Sequence, residues 1–231
     1  MQFEFNEEEH LYSVNGRVIP GTTRVLSHCG LIDYSMVRPY LLEQKKILGK
    51  NVHAATHFYD DNESLDWSTV RDEEKPYVDA WVEFRQITGF TPLLREYRDI
   101  MIVNGMKYGT TLDAFGFLFK ELADIELKTG EPQSWHGLQT AAHVMGLTWE
   151  AIAKGIGPAA SIMAASGEID WPMSELARFF KAKRYVLQLR PRTNPPYKLW
   201  PFTRARDYYI YLAALTITHE KLELGQQIPV E

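Results

Sequence analysis

Between Leu93 and Thr129 the chain reads as three strands in succession, and this run limits the fold more than any other feature. "LLREYRDIMIV" (93–103) and "KYGTTLDAFGFLF" (107–119) are rich in β-branched and aromatic residues, and the Asn104-Gly105 pair between them favours a two-residue hairpin turn. "ADIELKT" (123–129) alternates charged and aliphatic residues, the period of a third strand. The flanking segments are helical. Residues 41–60 and 73–88 precede the run, the second with Val78, Trp81 and Val82 near helical spacing and Gly89 as its stop. Residues 135–147 follow, with Leu138, Ala141, Ala142 and Met145 on one stripe. "RYVLQLR" and "YKLWPF" read as a late strand pair around Pro195-Pro196, and residues 204–224 as a long amphipathic helix. An N-terminal β-hairpin or small meander over residues 2–20 turns at Asn15-Gly16. The order predicts an α/β (α+β) fold, a central mixed sheet flanked by helices. Residues 148–180, rich in Ala and Gly, read as a helical insert of two or three short helices, and no internal repeat is present.

A length of 231 residues suits a single domain, and 45% hydrophobic with 13% aromatic residues is ample for a packed core. The apolar runs fall well short of the ~20 residues of a membrane helix, and the N-terminus lacks the pattern of a secretory signal. With one cysteine, Cys29, an internal disulfide and a cysteine-ligated iron–sulfur cluster are excluded. These features fit a cytoplasmic protein with no membrane partner. The net charge of −5 argues against coating nucleic acid through bulk charge, but not against a local basic groove. Arg178, Lys181, Lys183, Arg184, Arg190 and Arg192 cluster late, as a DNA groove or as a solvated face.

The alternating charges carry the chemistry. In a strand, Asp124, Glu126 and Lys128 share one face and Ile125 and Leu127 the other. The charged face must meet water, a metal or a phosphate. A hairpin brings Asp113 beside Glu126, and two adjacent carboxylates repel unless a cation lies between them. Mg²⁺ takes one or two carboxylates together with substrate phosphate, and Lys128 would orient and help deprotonate the nucleophile or stabilise the phosphate charge. A solvated E-x-K face is the plain alternative. "HAATH" (53–57) has the spacing of a zinc pair, but Ala54 stands where a peptidase needs its glutamate. Thr22, Thr23 and Arg24 in "GTTRVL" form either a phosphate-holding helix start or an ordinary N-cap.

"GKNVH", "GTTLDAFGFLFKELADIELKTG" and "GLQTAAH" follow one another in the order of a known pattern. Together they resemble the PD-(D/E)XK nuclease superfamily, in its RecB-like branch with lambda exonuclease and the mitochondrial genome maintenance exonuclease. The resemblance spans most of the chain apart from 148–180. It implies a restriction-endonuclease-like core and Mg²⁺ or Mn²⁺ held by His53, Asp113, Glu126 and the backbone carbonyl of Leu127. It implies that Lys128 acts on the attacking water and that Gln139 holds the DNA or the catalytic lysine. Glu96 sits where some members place an extra acid. His143 replaces the branch's tyrosine and would contact phosphate, and Glu126 stands where aspartate is more usual. The implied function is a DNA exonuclease of phage or prophage recombination and repair, acting on linear duplex or single-stranded ends in the host cytoplasm. A structure-selective endonuclease is the alternative, as is a non-catalytic module that partners a single-strand annealing protein. The 148–180 insert would build a channel wall or a homo-oligomer contact.

Overall fold

The structure, a computed structural model, describes residues 3–7, 9–35, 37–62, 65–154 and 181–227. Three short strands open it: β1 (Phe3–Asn6), β2 (Leu11–Val14) and β3 (Arg17–Ile19), an antiparallel meander. Asn15 and Gly16 both have positive φ (50° and 74°), as a primed hairpin turn requires. The helices α1 (Thr22–His28), α2 (Pro39–Asn62) and α3 (Lys75–Thr88) follow. Gly89, at φ 65°, ends α3 by donating its N–H to the Arg85 carbonyl.

The main sheet has the order β4-β5-β6-β7-β8, with β4 Thr91–Val103, β5 Met106–Leu118, β6 Glu121–Lys128, β7 Lys183–Leu189 and β8 Tyr197–Pro201. Neighbours are antiparallel except β6 and β7, which run parallel. The chain between them includes α4 (His136–Lys154), and α5 (Arg206–Glu223) closes the fold. The result is mixed α/β with five helices among the described residues, as the strand–helix order predicts. The helix expected to end near residue 147 runs on to Lys154, so the first part of the supposed insert belongs to α4. The rest of the 148–180 expectation lies outside the described residues.

The sheet separates two cores. One packs Val25 and Leu26 of α1, Leu138 and Met145 of α4 and Tyr211 and Leu215 of α5 against Tyr108, Leu112 and Phe115. The other packs Val52 of α2 and Trp81 and Phe84 of α3 against Ala114, Ile125 and Leu127. Ile125 and Leu127 therefore face α2 and α3, and Asp124 and Glu126 face α4, as strand alternation requires.

Tyr12 fixes the meander to β5. Its ring is 1% exposed, its hydroxyl shares a hydrogen bond of 2.8 Å with Thr111 Oγ1, and the ring lies flat where a Gly109 side chain would be. Gly109→Ala is therefore expected to lose about 2–3 kcal/mol, the range of overpacking, as the meander is pushed off the sheet. Urea unfolding checks this, and a midpoint equal to that of the native chain refutes the docking role.

Candidate metal centre

Turn chemistry sets the register of the site. Counting outward from Asn104-Gly105 places Glu96 of β4 opposite Asp113 of β5, within a ladder that pairs Arg95 with Ala114 and Tyr97 with Leu112. Counting outward from the next turn, Phe119-Lys120, places Asp113 opposite Glu126 of β6, next to the pair Ala114 and Ile125. Counting thus aligns three acids across three strands, although the ladder itself skips Glu96 and Asp113 and stops at Ala114 and Ile125. The row is irregular. Glu96 has φ 41°, a left-handed conformation that costs about 1–2 kcal/mol for a residue other than glycine. Leu112 and Phe115, three positions apart, both reach the first core, so the alternation of β5 breaks at Asp113. These breaks turn Glu96 and Asp113 toward α2.

There they meet His53. Its Nδ1 lies 3.1 Å from Asp113 Oδ1 and 3.6 Å from Glu96 Oε1, and its Nε2 lies 3.2 Å from the Leu127 carbonyl oxygen. Ligand atoms of His53, Glu96 and Asp113 all fall within 4.8 Å of one another. Both ring nitrogens face acceptors, so the imidazole is held as the cation until a metal ion displaces a ring proton to bind a nitrogen. Burial opposes that charge, but the charge and hydrogen bond of Asp113 and the hydrogen bond of Glu96 outweigh it and lift the His53 pKa to about 10. Burial likewise pushes the Asp113 carboxyl up, but His53, Lys128 and the Leu127 N–H together hold it at about 2. That N–H donates to Asp113 Oδ2 at 2.7 Å. One imidazole, two carboxylates and a neighbouring carbonyl are a donor set suited to Mg²⁺ or Mn²⁺. His57 stays apart, paired with Asp61 along its own helix at 3.4 Å, so "HAATH" forms no zinc pair.

Glu126 is placed differently from the expected ligand set. It is 2% exposed and forms an ion pair with Lys128, while its Oε2 is buried without a hydrogen-bond partner, 3.9 Å from His143 Nδ1. Burial, and then the Asp113 charge, push its pKa up. The charged face, expected to meet water, a metal or a phosphate, is covered by α4 at Asp124 and Glu126. Burial lowers the Lys128 pKa, but Glu126 and Asp113 more than reverse this, so Lys128 is held as an ammonium. An ammonium donates hydrogen bonds and charge and takes no proton from a nucleophile, which leaves the phosphate-stabilising role of the two expected for it.

The other expected residues are mostly internal. Gln139 is 8% exposed, with Oε1 buried and unpartnered. His143 is fully buried, with Nδ1 3.1 Å from Asp124 Oδ2, and so cannot touch phosphate in this arrangement. This buried Asp124–His143 pair escaped the sequence reading; the alternation on β6 showed Asp124, but nothing showed what α4 would set against it. Thr22 donates to the Gly109 carbonyl and to Thr110 Oγ1, and Arg24 to the Glu9 carbonyl at 3.0 Å. Gly21 caps α1 without a side-chain bond, and Thr23 is half-buried. "GTTRVL" therefore joins α1 to the sheet and meander. The late basic cluster is also divided: Arg184 is 4% exposed and bonds the Gly137 and Arg204 carbonyls and Asp207, and Lys183 pairs with Glu121.

His136 marks the start of α4 beside the centre. Its Nδ1 accepts the Gln133 N–H at 2.9 Å, and burial, aided by the Lys128 charge, lowers its pKa to about 3. The folded state refuses a proton that the unfolded chain accepts below about pH 6.5. The stabilisation is therefore complete above that pH and is lost as pH falls toward 3. At pH 5 the loss is about 2 kcal/mol. His136→Asn keeps an acceptor for the Gln133 N–H and cannot titrate. Its unfolding free energy is expected to fall about 2 kcal/mol less than that of the native chain between pH 7 and pH 5. Parallel slopes in urea titrations at the two pH values refute the assignment.

No family model matches the chain, and no curated protein matches it.

Proposed function

We propose that this chain is a divalent-metal-dependent deoxyribonuclease of the PD-(D/E)XK kind, hydrolysing phosphodiester bonds at DNA ends. One observation carries the reading: Glu96 and Asp113 gather against His53 and the Leu127 carbonyl, with the Glu126–Lys128 ion pair on the neighbouring strand. A protein that merely binds has no use for carboxylates gathered against one another. His53, Asp113, Glu96 and the Leu127 carbonyl would hold Mg²⁺ or Mn²⁺, with Glu126 as the third acid of the row. The ion, when bound, supplies Lewis-acid polarisation of the phosphate and charge stabilisation in the displacement. Lys128, held charged by Glu126, offers its ammonium to the non-bridging phosphate oxygens. The place of such an activity would be phage or prophage recombination and repair, beside a single-strand annealing protein.

The test incubates the protein with Mg²⁺ or Mn²⁺ and end-labelled linear duplex, 5′-phosphorylated or not, alongside a closed circle. Loss of the linear DNA alone is the expected result. Cutting of the circle makes the enzyme an endonuclease, and inertness with every divalent ion refutes the nuclease reading.

A further inference from the structure

The same helix that carries His53 begins with a largely exposed stretch, residues 39–47. Of residues 39–47 only Leu42 is even partly buried, and Tyr40 is 71% exposed. Cations outnumber acids four to one over residues 38–50: Arg38, Lys45, Lys46 and Lys50 are all exposed and have no ion-pair partner among the described residues, with Glu43 the one acid between them. In a chain of net charge −5 such a concentration is local and not a reflection of composition. Lys46, Lys50 and His53 fall at i, i+4 and i+7, so the lysines continue along the helix the stripe that ends in the metal cluster. Between them, Gly49 passes close to Thr129, the residue after Lys128: a side-chain carbon at Gly49 would lie 3.8 Å from Thr129 Oγ1.

We propose that the exposed half of α2 holds the phosphodiester backbone of a nucleic-acid strand and leads it to His53 and Lys128, with Lys46 and Lys50 as the principal phosphate contacts. The proposal rests on the nuclease reading for what happens at the end of the track. Charge selects the occupant. Phosphates supply the anions that the lysines lack, and each contact releases condensed counterions. A second copy of this chain docking the same face by two-fold symmetry would set these cations against themselves. Tyr40, exposed on the same segment, offers a ring on which a base can stack.

The experiment measures fluorescence anisotropy of a labelled single strand and of a labelled duplex against the full chain, with Ca²⁺ in place of Mg²⁺ and over a range of salt. Lys46→Ala with Lys50→Ala is expected to weaken binding roughly tenfold per lysine at 50 mM salt. It is also expected to flatten the slope of log K against log salt by about 2 for duplex or about 1.4 for single strand. The probe that loses the larger share identifies which form runs along the helix. Lys46→Arg with Lys50→Arg is expected to retain native affinity. Mn²⁺ binding by calorimetry should be the same in both double variants and the native chain. Unchanged affinity and slope in the alanine variant, with cleavage and Mn²⁺ binding intact, overturn the track and leave the nuclease reading standing. A native dimer that the alanine substitutions dissociate without altering DNA affinity also overturns the track and assigns the face to a second copy. A native chain that binds neither probe overturns both.

Discussion

Asp113→Asn is expected to abolish Mn²⁺ binding in calorimetry, weakening it at least 100-fold, and to stop DNA hydrolysis, while the protein remains folded. Asp113 ties the helix side of the centre to β6. One oxygen lies 3.1 Å from His53 Nδ1 and the other accepts the Leu127 N–H at 2.7 Å. Counted from the two turns, its neighbours across the sheet are Glu96 and Glu126. The carboxyl is held at about 2 although burial pushes the other way, so it is ionised at any working pH. Asparagine keeps an oxygen for the Leu127 N–H but removes the charge, and a neutral amide is a far poorer ligand for a hard cation. The same change weakens the charge-assisted contact with Nδ1 that orients the His53 ring toward the centre. Stability should change by no more than about 1–3 kcal/mol, since no cavity forms and one hydrogen bond survives. An unchanged Mn²⁺ isotherm in this variant removes Asp113 from the centre and the proposed chemistry with it.

How much of this centre was legible follows from how each residue is held. The hairpin register was readable, because Asn104-Gly105 dictates a primed two-residue turn and with it which residues face each other. Counting from that turn already sets Glu96 against Asp113. The sequence does not show that both strands break their alternation there, because no glycine or proline marks a left-handed Glu96. For the same reason Glu96, ranked behind the expected ligands, stands beside His53, while Glu126, one of those ligands, pairs with Lys128. The burial of the β6 charges was hidden for another reason. Alternation reports which side chains share a face, and the cover on that face is decided by the packing of α4, which carries its own polar residues Gln139 and His143 inward. Arg184 is the converse case, a cation that reads as surface and is buried because the Gly137 carbonyl and Asp207 await it. The exposed start of α2 read only as helix, since a stretch with little buried surface leaves no periodic apolar signal to set it apart.

Lys128→Ala is expected to cut hydrolysis about 10²–10³-fold while leaving DNA binding within a few-fold of native, the signature of an interaction made only in the transition state. The structure adds a second expected effect. Lys128 is the ion-pair partner of Glu126, and Glu126 is 2% exposed, so its removal strands a buried carboxylate. Breaking one side of a buried pair costs about 3–5 kcal/mol, part of which Glu126 escapes by taking up a proton, the direction in which burial and Asp113 already push it. A loss of activity in the single variant would therefore confound chemistry with folding. Adding Glu126→Gln separates them. The double variant carries no stranded charge and is expected to regain most of the lost stability in urea unfolding. It is not expected to regain hydrolysis, because no ammonium remains to meet the phosphate. Should stability and hydrolysis recover together, Lys128 acts only as the counter-charge that keeps β6 and α4 packed, and the phosphate-stabilising role assigned to it fails.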